Sequence, residues 1–379
     1  AEQAPPHGLV VSSVLVNPEE YTSDGGRYDL FLQAVPGDKA TRLTNHHANP
    51  KLKLGGAIRE PLFSSDGRHI LFLADYANSS KDFRETMTGA SPYPYTLLNV
   101  WKITLSSRSI TPITKGELGW HNLSWSPDGR FFSAVYPSIS GIIDQDTPIP
   151  DDIYVYSFSK TKMRKIARVP ENVSDIFWSL DSQNVLFQLW SDPNLYALRR
   201  AGGKPRVLIK GKGEKFGYSF SPDKRRVAFV QDNAVYMART DGSDPFPAIQ
   251  HSEGERSSVW PKPKWSRTGS QLAVAEVVHD AKFTDYQTKL HVYDPVSHKD
   301  RLIATLQQDV TEVIWSRNGQ WLIVKTLRAG NTEKPDPKMG WHTFHREGLL
   351  AVAIADGRIV TLKEPVEETK GLDWFETYK

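Results

Sequence analysis

A short pattern returns six times along the chain and restricts the fold more than any other feature. Each copy places an aromatic residue before serine, then two further residues and a glycine or polar turn, as in Trp125-Ser126-Pro127-Asp128-Gly129. Proline fixes φ, aspartate caps its own backbone and glycine accepts positive φ, so each copy predicts a strand that ends in a tight turn. The six copies begin at Phe63, Trp125, Trp178, Phe220, Trp265 and Trp315.

Three further β-rich runs follow each of these turns. After the Trp178 copy they cover residues 184–190, 194–199 and 206–209. We label the four strands of a repeat a to d, with the aromatic copy in strand a. Four short antiparallel strands recurring about every 40 to 60 residues are typical of a propeller blade, which must stack on neighbours to cover both faces.

The two ends of the chain supply a seventh blade. Residues 9–16, 28–35 and 41–44 provide strands b, c and d with no strand a before them. Residues 371–375 resemble the missing aromatic strand without its turn. The sequence therefore predicts one all-β domain over residues 1–379, a seven-bladed β-propeller closed by one C-terminal and three N-terminal strands, which leaves few exposed edges. A six-bladed ring is the alternative if the terminal segments do not pair.

The Trp125-Ser126-Pro127-Asp128-Gly129 copy and its relatives resemble the repeat of TolB-like propellers, also called WD40-like or PD40 repeats, over nearly the whole chain. Similar blades occur in TolB, in prolyl-oligopeptidase-type peptidases and in oligogalacturonate lyases. The resemblance therefore implies the fold without selecting an activity. The repeats leave no space within these 379 residues for the α/β domain of TolB or the hydrolase domain of the peptidases.

Composition narrows the possible functions. Forty-seven Lys and Arg against 44 Asp and Glu give a formal net charge of +3, so nucleic acid is not an expected partner. The absence of cysteine excludes disulfides, thiolate metal sites and Cys nucleophiles. The longest apolar runs, such as residues 9–16, are shorter than the ~20 residues of a membrane-spanning helix, so no membrane insertion is expected. The opening segment from Ala1 to Pro6 is typical of a processed chain and favours a periplasmic or secreted protein.

Long connections concentrate on one rim of the predicted ring. The b-to-c and d-to-a connections emerge on the same rim, which we call the upper rim. The b-to-c connections over residues 75–98, 137–151, 278–288 and 327–348 exceed the usual hairpin loop of about 2 to 5 residues. This inequality favours recognition of a protein or extended ligand, with neutral insertion as the alternative.

The d-to-a connections also lead to the mouth of the central channel. Three carboxylates are expected to face it, where they suit a hydrated cation or the cationic groups of a partner. Solvated polar residues at a wet channel mouth are the alternative. The positions three before each strand-a aromatic hold Glu60, Asn122, Asp175, Gly217, Lys262, Glu312 and Gly371.

Histidines gather on the same rim, among them His46 and His47. Imidazole binds transition metals and acts as a base near neutral pH, so a metal-assisted carbohydrate-active enzyme is a second hypothesis. The resemblance to oligogalacturonate lyases implies several histidines and a glutamine around a manganese, but the local sequence at His342 and His345 does not match that family. Scattered surface imidazoles are the plain alternative.

The sequence thus predicts a non-catalytic binding propeller that recognises a protein or an extended polymer on its upper rim. No cofactor is expected in this hypothesis, and a divalent metal belongs to the enzymatic alternative, which stays open. The candidate contact residues are Glu60, Trp120, His121, Asn122, Asp175, His251, Arg256, Trp260, Lys262, Glu312, Trp341, His342 and His345.

Overall fold

The computed structural model consists of 29 β-strands in seven antiparallel sheets, with no helix in the part of the chain that it describes. It describes the chain except residues 1–3, 23–24, 38, 46–53, 55–57, 77–97, 116–118, 139–148, 212–214, 233, 250–255, 260–261, 280–285, 332–342, 366–368 and 378–379. The side chains of residues 17–22, 25–26, 256–259, 279, 286, 328–331, 343–345 and 370 also lie outside the described part. The described part of the chain contains no helix that is long and apolar enough to cross a membrane.

Each sheet is one blade, numbered I to VII along the chain. Blade I contains β4 (Arg59–Phe63), β5 (His69–Ala74), β6 (Asn99–Thr104) and β7 (Ser109–Pro112). Blade II contains β8 (His121–Trp125), β9 (Phe131–Pro137), β10 (Asp151–Ser157) and β11 (Lys162–Val169). Blade III contains β12 (Val173–Trp178), β13 (Asn184–Leu189), β14 (Leu195–Arg199) and β15 (Arg206–Ile209). Blade IV contains β16 (Lys215–Phe220), β17 (Arg226–Gln231), β18 (Ala234–Arg239) and β19 (Phe246–Ile249).

The remaining blades follow the same order with two variations. In blade V the inner strand is divided into β20 (Arg256–Val259) and β21 (Lys264–Trp265), followed by β22 (Leu272–His279), β23 (Tyr286–Asp294) and β24 (Lys299–Leu306). Blade VI contains β25 (Asp309–Trp315), β26 (Trp321–Asn331), β27 (Thr343–Ala353) and β28 (Ile359–Lys363). Blade VII combines β29 (Thr369–Glu376) with β1 (Gly8–Thr22), β2 (Gly25–Val35) and β3 (Ala40–Arg42).

Pairing of the chain ends closes the ring as predicted. The C-terminal β29 runs antiparallel to β1, with Gly8 opposite Glu376 and Val10 opposite Trp374. Seven blades are therefore confirmed, and the six-bladed alternative does not apply. Seven apolar clusters follow the same plan, because each joins one blade to the next around the ring. Burial of apolar surface between every neighbouring pair of blades is the main source of cohesion.

Local hydrogen bonds within each turn explain the recurrent serine and aspartate. The Ser126 hydroxyl donates to Asp128 at 2.7 Å and accepts from the Phe131 amide at 3.0 Å, so it bridges the turn to strand b. Asp128 also accepts from the Arg130 amide at 3.0 Å. The same serine-to-strand bond occurs in the other five copies, at Ser64, Ser179, Ser221, Ser266 and Ser316.

The recurrent tryptophan joins adjacent blades by a hydrogen bond as well as by packing. Its indole N–H donates to the carbonyl that precedes the strand-a aromatic of the previous blade, as from Trp178 to Ser124 at 3.1 Å and from Trp265 to Ser219 at 2.9 Å. A buried indole needs such a partner. The copies with phenylalanine contribute only the apolar part of this contact.

Two of the predicted long b-to-c loops begin as extensions of the blade. Pairing of β26 with β27 continues to Asn331 opposite Thr343, and pairing of β22 with β23 continues to His279 opposite Tyr286. The predicted loop bounds of 327 and 348 are thus wrong, because the two strands remain paired as far as Asn331 and Thr343. The connections over 75–98 and 137–151 lie mostly outside the described residues.

Candidate functional site

The pairing register between strand a and strand b shifts in several blades, next to the positions that face the channel. Pairing with strand b is interrupted between Arg59 and Leu62 in blade I and between Val173 and Asp175 in blade III. Blades II, IV and VI show the same break. A β-bulge bends its strand and redirects a side chain, so these breaks give the positions three before the aromatic a common orientation.

Two of these positions need glycine because neighbouring blades approach closely. A Cβ atom on Gly217 would lie 2.8 Å from the Cβ of Lys262, and one on Gly371 would lie 2.9 Å from the Glu60 amide nitrogen. Both glycines have positive φ, at 66° and 125°. Glu60 and Asn122 occupy the same bulge position at a φ of 52°, a conformation uncommon for residues other than glycine.

A cavity of about 310 Å³ lies at the channel mouth on the upper rim. Glu60, Asn122, Asp175, Glu312 and Gly371 line it, so five of the seven positions three before the strand-a aromatic meet around one space. Lys262 does not line the cavity, but its ammonium lies 3.1 Å from the Asp175 carboxylate, which does. The geometry therefore gathers carboxylates from blades I, III and VI at one opening.

A chain of ion pairs crosses one side of this cavity. The Lys325 ammonium lies 2.7 Å from Glu312 and 3.2 Å from Asp373, and Glu312 is also 3.0 Å from Lys264. Asp373 in turn accepts a hydrogen bond from the Phe63 amide at 2.7 Å. The chain of contacts links blades V, VI, VII and I, so it bridges the two ends of the polypeptide.

The electrostatics of this chain favour the charged forms of Lys325 and Glu312. Burial opposes ionisation of Lys325, but Glu312 and Asp373 together raise its pKa. Burial would also raise the pKa of Glu312, yet Lys325 and Lys264 lower it well below its usual range. For Asp373 burial dominates over Lys325 and raises the pKa of the carboxyl. Lys325 is therefore a cation shared by two carboxylates, of which Glu312 is also paired with Lys264.

Glu60 differs from these paired groups. Its side chain opens onto the channel, and among the described residues no lysine or arginine lies within ion-pair distance of it. The surrounding protein displaces bulk water and raises the pKa of Glu60, although Arg59 and His121 act in the opposite direction. Glu347, which accepts a hydrogen bond from the Gly371 amide at 2.9 Å, also lines the cavity without a side-chain cation among the described residues. The cavity consequently has an excess of negative charge.

Trp120 and His121 take different positions. Trp120 is 7% exposed and packs on Tyr136 and Tyr154, with ring centroids 4.8 and 4.9 Å away, so its ring belongs to the core of blade II. His121 is partly exposed and its Nε2 lies 3.6 Å from Oδ2 of the buried Asp151. The same Asp151 oxygen accepts from the Val173 amide at 2.8 Å.

The remaining candidates are not placed by the structure. His46, His47, His251, Trp260, Trp341 and His342, and the side chains of Arg256 and His345, lie outside the described residues. Within the described residues no group of three or more His, Asp or Glu side chains is arranged to hold a metal ion. The hypothesis of a metal on the rim histidines is thus untested by this geometry.

Sequence reasoning missed Lys325, Asp373 and Glu347. A signal for the first was present, because Lys325 interrupts an otherwise apolar strand that begins at Trp321. A lysine in a buried run needs a counter-charge. Its partners could not be identified without the ring, since Asp373 lies 48 residues away.

Comparison with known proteins supports the fold. No protein-family model matches the chain. A structure of TolB from Acinetobacter baumannii aligns over 96% of this chain and 66% of that one, with a TM-score of 0.48 and 14% identity. The seven blades themselves show that the fold is a β-propeller. A puromycin-hydrolyzing peptidase of Mycobacterium tuberculosis matches at a TM-score of 0.60 and 13% identity, over 94% of this chain and 54% of that one.

One further solved structure and one sequence match are named as enzymes. An oligogalacturonate lyase in complex with manganese matches with a TM-score of 0.54 and 13% identity, over 97% of this chain and 86% of that one. The uncharacterized peptidase YuxL of Bacillus subtilis (strain 168) is 25% identical over 130 residues, which are 34% of this chain and 17% of that protein. The chain thus matches only a small part of this relative and about half of the puromycin-hydrolyzing peptidase.

Proposed function

We propose that this protein is a non-catalytic binding propeller that recognises a protein or extended ligand on its upper rim. The observation that supports this most directly is the cavity at the channel mouth, where Glu60 and Glu347 have no side-chain cation among the described residues. A cationic group of the ligand would supply the missing countercharge. A rigid ring holds such a site with little loss of entropy on binding.

The long β26–β27 ribbon also supports the upper rim as the recognition surface. The β26–β27 ribbon extends beyond blade VI on the rim where the cavity opens. The connection between its two strands, residues 332–342, lies outside the described residues and contains the candidate Trp341. Recognition by such a rim also agrees with the predicted export of the chain to the periplasm or the medium, which remains a prediction.

Shortening this ribbon tests the proposal. Peptide binders are first selected from a random displayed library on the intact protein. Replacing residues 332–342 by a two-residue turn is expected to weaken these binders by about tenfold or more, because a contact surface worth at least about 1.4 kcal/mol is removed. Affinity is measured by titration calorimetry, and an unchanged thermal midpoint shows that the ring is intact.

Val296→Ser serves as the matched control. Val296 is 80% exposed in the turn between β23 and β24, on the opposite rim, so its replacement should leave affinity unchanged. Binders that keep full affinity for both the shortened ribbon and Glu60→Gln would place recognition elsewhere and overturn the proposal.

Binding of a basic ligand should weaken in acid. Since the pKa of Glu60 is raised by its surroundings, its carboxylate protonates at higher pH than an ordinary glutamate and then cannot pair with a cation. Lowering the pH from 7 to 5 should reduce affinity, by at most about tenfold per pH unit for one coupled proton. Glu60→Gln should bind more weakly at pH 7 and show a flatter pH profile. An equally steep profile in that variant would assign the effect to other groups.

The metal-assisted alternative has its own measurement. Metal content per chain before and after chelation separates the two hypotheses, because a stoichiometric transition metal would direct attention to the rim histidines. His342→Ala and His345→Ala would then be expected to lose it.

A further inference from the structure

An exposed tryptophan lies on the upper rim, at the end of strand b in blade III. Trp190 directly follows β13 and is 76% exposed. The other large exposed apolar residues of the described part lie elsewhere, in turns of the opposite rim or on outermost strands. They are Leu180, Val207, Val296, Leu302 and Ile359. Trp190 is therefore a single apolar anchor in polar surroundings and not the centre of a broad apolar patch.

The turn that carries Trp190 is held by its own hydrogen bonds. The Trp190 amide donates to Asn172 at 3.1 Å, and the Ser191 hydroxyl donates to Glu171 at 2.6 Å. Asn194 accepts from the Gly211 amide at 2.8 Å and ties the turn to the next d-to-a connection. None of these bonds uses the indole, so the ring is presented on a fixed backbone and stays free for contact.

The strand register relates Trp190 to the cavity. Asp175, which lines the cavity, is paired with Gln188 on β13. Trp190 lies two residues further along that strand. Two residues of strand and one interstrand step separate the two Cα positions by about 8 Å. In an extended peptide, side chains at positions i and i+2 point to the same side and lie about 7 Å apart.

We propose that the ligand, on the function proposed above, is an extended polypeptide with an apolar side chain that packs on Trp190. Two positions away along the peptide a Lys or Arg places its charge in the cavity, where Asp175 is paired with Lys262 and Glu60 has no side-chain cation among the described residues. The negative excess of the cavity selects a cation at that position, and the exposed indole selects an aromatic or aliphatic side chain at the other. An acidic polysaccharide would meet like charge there, so its binding is not favoured.

Synthetic peptides test this arrangement. The probe is an acetylated and amidated nonapeptide of glycine and serine that contains Phe-Ser-Lys, so its termini add no charge. Three controls replace Lys by Gln, replace Phe by Ala, or place Phe and Lys next to each other. The intact protein should bind the probe at least about tenfold more tightly than each control, measured by titration calorimetry.

Variants of the protein identify the two contacts. Trp190→Ala should reduce affinity for the probe about tenfold and remove the preference for Phe over Ala. Glu60→Gln should remove the preference for Lys over Gln and keep that for Phe. Val296→Ala should change neither. The exposed positions of Trp190 and Val296 make both replacements compatible with folding, which thermal unfolding checks.

Each outcome has a defined meaning. Equal affinity for the probe and the adjacent-residue control, or no effect of Trp190→Ala, would overturn the spacing rule. If no synthetic peptide binds while library-selected binders still depend on the β26–β27 ribbon, the motif is wrong and the binding function stands. Binding of uronate polymers that depends on Trp190, with no peptide binding, would contradict the polypeptide ligand.

Discussion

Replacing Lys325 by methionine is expected to destabilise the propeller by about 3 to 5 kcal/mol, the usual cost of removing one partner from a buried ion pair. The Lys325 side chain is 9% exposed and lies between Glu312 and Asp373, which are 31% and 15% exposed. Methionine fills a similar volume, so the effect reports charge and not a cavity. Guanidinium unfolding at neutral pH measures it.

Two further variants make this result interpretable. Lys262→Met removes the ion pair with Asp175 in the same cavity, where both side chains are 32% exposed, and should cost about 1 kcal/mol or less. Asp373→Asn in the Lys325→Met background removes one stranded charge and keeps an acceptor for the Phe63 amide, so it should recover part of the loss. Equal destabilisation by Lys325→Met and Lys262→Met would show that burial does not decide the strength of these pairs.

Raising the pH should weaken the protein through His291. Its Nδ1 lies 2.8 Å from Asp300 and its Nε2 lies 3.3 Å from Glu276. Burial would lower the pKa of His291, but the hydrogen bond to Asp300 and the nearby carboxylate of Glu276 raise it to about 9. A raised pKa stabilises the fold fully below the unfolded value of 6.5, and this contribution is lost as the pH rises through 9.

The expected loss between pH 6 and pH 10 is on the order of 3 kcal/mol. Comparing guanidinium unfolding of the intact protein and His291→Gln at both pH values isolates the contribution. The variant should be less stable at pH 6 and should approach the intact protein at pH 10. A difference between the two proteins that does not change with pH would show that His291 is not protonated in the fold.

Local patterns were sufficient for the blades and their number. The serine of each copy and the Asp, Thr or Asn two positions later act within six residues, as Ser126 does with Asp128 and Phe131. Such contacts depend only on the segment itself. The missing strand a at the N-terminus and the aromatic segment around Trp374 predicted the closure. Strand ends were less predictable, because the pairing of β26 with β27 continues through residues that read as a loop.

The candidate site was predictable in part. Counting three positions back from each aromatic identified Glu60, Asp175 and Glu312, since identical repeats place identical positions alike around a ring. Burial of Trp120 was not apparent, because a residue beside a histidine on a connection can face either the core or the rim. The anchor Trp190 was also missed, as its exposure follows from a short turn and leaves no periodic signal.

The sequence by itself determined the strand, the turn and the repeat, and through them a seven-bladed ring with aromatic contacts between blades. Only the tertiary structure decided which charges meet. Lys264 and Glu312 are 48 residues apart, and Phe63 and Asp373 are 310 apart, yet each pair is in contact. The physical reason is that periodicity encodes local geometry, whereas pairing of distant charges requires closure of the ring, which fixes the neighbours of every blade at once.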